Sequence, residues 1–273
     1  MTLSFDPGYD REPFQTLCDQ APGTAIYPFS SFRVEWGPIF HRGRLDSSAR
    51  ILCIGQDPAE HEAVVRRILV GTAGHRVQGF LAKLGLSRSY VLVNTFLYSV
   101  YGQSGGNANV NDPGIAAYRN QWLSAVLVSG GVEAVVAFGG LADRAWQAFL
   151  QGPGNTFAAL TYCHVPHPTS PEGAGGMPAQ IQARTQAMLV AWNAALVTLR
   201  EAVQHPDISV PLTPYGDSFA PSELPSIPSF DLPAGTPPWM RGESGWAART
   251  GATAILKRRT ITTTVPDGVI PGN

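Results

Sequence analysis

The sequence predicts a three-layer α/β/α fold around a central, mostly parallel four-stranded sheet, with a C-terminal extension added to it. Two observations predict this class. Four short apolar runs at 50–55, 90–94, 134–138 and 161–165 are rich in strand formers and lack a polar alternation, as strands buried on both faces do. Between and after these runs apolar residues recur at helical spacing, and continuous strands alternating with helices pair in parallel, with helices over both faces.

Residues 1–48 scatter Phe14, Tyr27, Phe29, Phe32, Trp36 and Phe40 among prolines and glycines, and read as irregular or short helical cover. The first strand ends at Gly55-Gln56-Asp57-Pro58, where proline stops the ladder. Val77, Phe80, Leu81 and Leu84 mark a helix over 74–84, and Tyr118, Trp122, Leu123 and Val126 a second over 115–128. A long closing helix over about 178–203 takes Pro178 in its first turn. It carries Met188, Leu189, Trp192, Leu196 and Leu199 on one stripe facing the sheet. Beyond His205 prolines punctuate the chain, so a domain of 1–205, with its motifs within about 50–200, is expected to end there. The 206–273 extension is expected to pack on that core, because Phe219, Phe230, Trp239 and Trp246 are more aromatic than a disordered tail. Residues 254–265 read as a strand.

Charged residues are only 14% of the 273 and hydrophobic ones 44%, which excludes a disordered polyelectrolyte. Nineteen basic residues against 20 acidic give a net charge of -1, so binding to a polyanion requires a local patch. Cys18, Cys53 and Cys163 form no CxxC pair, and no zinc or iron–sulfur framework is expected. The N-terminal stretch has no basic region followed by an apolar one, and no apolar run reaches membrane-spanning length. A soluble, cytoplasmic protein is the expectation.

In open α/β sheets ligands bind outside the carboxyl ends of the strands. The four runs end in Asp57, Asn94, Gly139-Gly140 and His167-Pro168. A carboxylate, an amide and an imidazole brought to one edge suit reading a polar heterocycle and polarising a bond. Singly, an Asp after a strand is usually a turn former and an Asn a loop ligand; their joint placement carries the content. His164 and His167 lack a third ligand at metal-binding spacing, so no metal is expected.

The motifs resemble those of the uracil-DNA glycosylase superfamily. Gly55-Gln56-Asp57-Pro58 is similar to the start of the water-activating motif, which continues Tyr-His in the best-known branch, and His167-Pro168-Thr169-Ser170-Pro171 resembles its second motif, His-Pro-Ser-Pro-Leu. Residues 69–85 resemble the matching segment of the iron–sulfur (family 4) branch, and 91–94 and 135–140 fit both layouts. The resemblance covers about 50–200. It implies a monofunctional glycosylase that flips uracil out of DNA and hydrolyses the N-glycosidic bond, leaving an abasic site for base excision repair.

The same resemblance implies roles. Asp57 would orient water and stabilise an oxocarbenium-like sugar, and His167 would donate to uracil O2, helped by amides near Gln56. Asn94 would pair with uracil O4 and N3–H, groups that cytosine reverses. Leu69 stands where the iron–sulfur branch has a base-stacking phenylalanine, a part that Phe32 or Phe96 would otherwise take. Pro171 matches an intercalating leucine. Thr169, Ser170 and Ser104, with Arg66, Arg67 and Lys83, are candidate DNA contacts. Lys257-Arg258-Arg259 read as charges guarding a strand edge or as a phosphate contact. Ala59 replaces the tyrosine that excludes thymine. The implied partner is uracil-containing DNA, single- or double-stranded, bound by a monomer without cofactor, metal, iron–sulfur cluster or membrane. Two other readings stay open: a broader glycosylase acting on thymine or hypoxanthine mismatches, and a non-turnover binder of uracil or abasic sites. A small-molecule nucleoside hydrolase is a third.

Overall fold

The computed structural model describes residues 7–242 and 245–269; the first six residues of the N-terminal stretch lie outside them. A five-stranded sheet runs β1 (His41–Gly43), β2 (Ile51–Gly55), β3 (Tyr90–Asn94), β4 (Ala134–Phe138) and β5 (Thr161–Val165), in the spatial order β1-β3-β2-β4-β5. The four expected strands pair in parallel, with Gly55 beside Asn94 and Phe138 beside Val165. The sheet gains one strand over the expectation, because β1 adds an antiparallel edge with His41 opposite Val93. Its His-Arg-Gly sequence has no apolar pattern to reveal it. Buried Arg42 instead donates from Nε to the Ile68 carbonyl at 3.1 Å and from Nη1 to Gln78 at 2.9 Å and Asp231 at 3.0 Å, so its charge is paired as a buried charge requires.

The helices are α1 (Phe14–Asp19), α2 (Glu60–Val65), α3 (Thr72–Lys83), α4 (Gly102–Asn109), α5 (Pro113–Val128), α6 (Gly140–Leu150), α7 (Ser170–Gly173) and α8 (Pro178–Ala202). Asp112 starts α5 by accepting from Gly114 N and Ile115 N at 2.9 and 3.0 Å, with Pro113 in the first turn. Although β2, β3 and β4 are largely apolar, their side chains still alternate between faces. Leu52, Ile54, Val91, Val93, Val135 and Ala137 pack under α5 and α6. Ile51, Cys53, Leu92, Val136 and Phe138 pack under α3 and α8. The chain leaves β2 toward one face and β4 toward the other, which opens a crevice between their carboxyl ends.

Residues 206–242 run back along the core. Asp207 accepts from the Ser87, Arg88 and Ser89 amides at 2.8, 2.7 and 2.9 Å. Asp231 is buried between Arg42 and Arg44. Beyond α9 (Trp239–Gly242), strands β6 (Ala247–Arg249) and β7 (Ile261–Thr263) form an antiparallel pair flanking α10 (Ala254–Arg259). The first half of the strand expected over 254–265 is therefore helix: Thr253 caps the Leu256 amide at 3.2 Å, and the β-branched 261–263 form the strand. Among the described residues no helix is long and apolar enough to cross a membrane.

Candidate active site

Glycine at the end of β2 lets the two neighbouring strand ends meet. A Cβ on Gly55 would lie 2.3 Å from Asn94 Oδ1, so glycine leaves the Asn94 amide its place, and Leu69 Cδ1 packs on the same spot at an ordinary 3.6 Å. The Thr95 amide donates to the Gly55 carbonyl at 2.9 Å and the Phe96 amide to the Gln56 carbonyl at 3.0 Å, which ties the loop after β3 to the loop after β2. Asn94 Oδ1 is buried without a hydrogen-bond partner among the described residues.

Asp57 hangs from that loop and accepts from the Val100 amide at 3.0 Å. Burial raises its pKa from 3.8 to about 6, against the opposing pull of the Val100 hydrogen bond and the Arg33 charge. Arg33 also builds the loop that bonds Asp57. It donates to Ser99 Oγ at 2.9 Å and to the Val100 carbonyl at 2.6 Å, between the rings of Trp36 and Tyr101.

His167 follows β5. The Thr169 amide points at its Nδ1 at 3.3 Å; a backbone N–H only donates, so the proton sits on Nε2. Burial first, and then the Arg76 charge, lowers its pKa from 6.5 to about 4, which leaves the ring neutral near pH 7. Gly139, at φ 96°, stands where a Cβ would press on His167 Cβ at 3.0 Å and on the Gln56 amide at 3.2 Å. Glycine after β4 thus brings the first and last loops together.

Gln56, Asp57, Ala59, Leu69, His167 and Thr169 line one cavity of about 220 Å³, with His61 and Glu62 behind them. Asp57 and Ala59 also face a second cavity of about 220 Å³, shared with Ser99, Val100, Gly102 and Arg249. Glu62, which sequence reasoning missed, fixes the first cavity's wall. Its carboxylate accepts from Ala59 N at 3.0 Å, Val70 N at 2.9 Å and Gly71 N at 3.3 Å. Its one signal is an acid in the first turn of a helix.

The other expected residues divide. Asn94 does not line the first cavity; its side chain lies against Gly55 and borders a separate crevice with Tyr27, Phe96 and Trp122. Leu69 is buried at φ 54°, with Gly74 leaving room for its carbonyl. Phe32 and Phe96 are fully buried in the core, 5.4 Å apart, and line neither cavity, so neither replaces a stacking ring. Thr169 lines the first cavity, while Ser170 at the start of α7 and Ser104 on α4 are exposed. Pro171 is buried and offers no wedge. Arg66 turns inward, donating to the Trp36 and Pro38 carbonyls at 2.6 Å each; these bonds engage its guanidinium in holding a loop. Arg67 is buried as well, and Lys83 pairs with Glu223 at 2.6 Å. His164 points toward Asp143, 3.9 Å away. Among the described residues no three His, Cys, Asp or Glu side chains converge as a metal site.

A search of curated proteins finds no match to the chain. The family model of the Uracil DNA glycosylase superfamily matches residues 42–193, a span that runs from the edge strand β1 into α8 and holds Asp57, Asn94 and His167. More than half of the chain lies within that match, and the protein belongs to the uracil-DNA glycosylase superfamily.

Proposed function

We propose that the protein excises uracil from DNA by hydrolysing its N-glycosidic bond. One observation carries this reading: a carboxylate and a neutral imidazole line the same cavity, with pKa values pushed to about 6 and about 4. Burial moves the two in opposite directions, yet near pH 7 it still leaves the carboxyl ionised and the imidazole neutral, which divides charge stabilisation from hydrogen-bond donation. As the C1′–N1 bond breaks, its electron pair leaves with uracil and positive charge grows on the sugar. Ionised Asp57 stabilises that charge and orients a water, whose oxygen bonds to C1′ and whose proton neutralises the departing uracil anion by way of the carboxylate or solvent. The Nε2–H of His167 is a fixed donor for uracil O2, where the negative charge collects. Base reading by Asn94 rests on the resemblance: its unpartnered Oδ1 matches uracil N3–H and opposes the bare N3 of cytosine, and a base held by Asp57 and His167 has to reach it past Gly55, because Asn94 stands outside their cavity. Leu69 supplies an apolar wall for the ring, and Thr169, Ser170 and Ser104 supply hydroxyls for the backbone.

Ala59 favours a second, broader activity. It lines both cavities with one methyl group where the resemblance implies a tyrosine beside pyrimidine C5, which leaves space for the thymine methyl. Multiple-turnover assays on single-stranded, U:A, U:G, T:G and hypoxanthine-containing oligonucleotides, read by alkaline cleavage, separate these readings. Uracil release lost in Asp57→Asn is the expected outcome. Tight binding of uracil DNA with no release in the wild type would overturn the enzymatic reading in favour of a damage binder.

A further inference from the structure

The extension delivers a cation to the Asp57 side of the site. Strand β6 packs on α2, with Trp246 buried and edge-on to His61 at 4.8 Å, and so carries Arg249 into the wall of the second cavity across from Asp57 and Val100. Its only ion-pair partner among the described residues is Glu60, at 3.2 Å. That carboxylate oxygen has no aligned hydrogen bond, and the Arg249 side chain is 45% exposed. Charge alone holds the pair, and a phosphate competes well for a half-exposed guanidinium.

Farther out, α10 seats on the loop that bonds Asp57. Arg33 donates to the Arg258 carbonyl at 3.1 Å, and the Arg258 guanidinium covers the Tyr101 ring at 4.9 Å. Lys257 and Arg259 remain exposed in the last turn, next to the exposed Ile255 and Leu256. Residues 245–269 hold four basic side chains and one acidic one, in a chain of net charge -1. This is the local patch that a polyanion needs when the whole chain offers none.

We infer that the C-terminal hairpin, residues 246–263, is a DNA-backbone clamp: Arg249 exchanges Glu60 for the phosphate beside the extruded nucleotide, and Lys257 and Arg259 take phosphates farther along. The inference rests on DNA as the substrate polymer. Because each neutralised phosphate releases condensed counterions, the clamp is visible in salt dependence without any catalysis.

The test is fluorescence anisotropy of the full chain on a duplex bearing a tetrahydrofuran abasic site, across a salt series, with uracil turnover measured in parallel. Arg249→Gln is expected to reduce the slope of log affinity against log salt by about 0.9, and Lys257→Gln/Arg259→Gln by about 1.8, with affinity down about 5- to 30-fold at low salt. Arg249→Lys restores most of the first loss, which a merely structural role would not. Slopes unchanged in variants of a protein that excises uracil would overturn the clamp alone. Reduced slopes in a protein without uracil release would uphold the clamp and overturn the glycosylase reading. A wild type that binds neither the duplex nor the same single strand and releases no uracil from either overturns both.

Discussion

Asp57 and His167 close one cavity from opposite loops, and burial acts on them with opposite consequences. It penalises the charged form of each, so the carboxyl rises to about 6 and the imidazole falls to about 4. The proposed chemistry wants Asp57 charged and His167 neutral. At His167 fold and function therefore ask for the same proton state, and the neighbouring Arg76 pushes the same way. At Asp57 they conflict, and the Val100 amide and Arg33 offset the burial only in part. The difference teaches that one variable, desolvation, tunes both groups, and that the local hydrogen bonds are spent where it works against the chemistry.

The largest effects should fall on turnover. Asp57→Asn and His167→Ala are each expected to slow uracil release by about 10²- to 10³-fold while the fold is kept, as measured by single-turnover kinetics and circular dichroism. Equal, near wild-type rates in either variant would dissolve the division of labour. Next comes Arg33→Ala, which removes the bonds to Ser99 and Val100 together with a charge that lowers the Asp57 pKa. Its acid limb should move to higher pH and its rate near pH 7 should fall about 10-fold, on the scale of a lost charge-assisted hydrogen bond. Thr169→Pro, which deletes the amide that points at His167 Nδ1, should cost a similar factor, and Thr169→Val, which keeps that amide but removes the hydroxyl 3.2 Å from the same nitrogen, should cost less than the proline variant.

The smallest effect is on stability, and its sign separates the two residues. Asp57 titrates higher in the fold, at about 6, than its ordinary 3.8. The fold thus favours its protonated form, and stability drops as pH rises from about 4 to 6. Asp57→Asn should accordingly be more stable than wild type at pH 7 to 8, on the order of 1 kcal/mol or a few degrees in Tm, with the gain shrinking toward pH 4. His167 titrates lower in the fold, at about 4, than its ordinary 6.5. Its contribution is complete above pH 6.5 and is lost as pH falls toward 4, so replacing it brings no gain at neutral pH. Thermal melts at three pH values check both signs.

What the sequence made legible follows from how local each signal is. Four strands were readable because each is a run of adjacent apolar residues, and the meeting of Asp57 and His167 at one cavity follows from each standing just beyond such a run, whereas Asn94, which ends β3, falls outside that cavity. β1 was not, since its Arg42 is buried through partners at Ile68, Gln78 and Asp231. Arg33 and Glu62 escaped for the same reason: their partners are backbone groups brought near only by folding. Pro171 and Arg66 misled in the other direction, because a motif position and a positive charge do not say whether a side chain faces out. At 254–265 hydrophobicity suggested a strand, while the Thr253 cap and the run Ala-Ile-Leu-Lys-Arg-Arg made a helix. With that turn the basic residues moved from a strand edge to a helix seated on Arg33 and Tyr101.

The measurement to make first is the single-turnover rate of uracil release by the wild type between pH 4.5 and 8.5. If Asp57 works ionised and His167 works neutral, the rate climbs with an apparent pKa near 6 and then stays level to pH 8.5. A rate that falls between pH 6 and 8 would mean that a protonated imidazole does the work, and the roles assigned to the pair would have to be exchanged for acid catalysis by a charged His167.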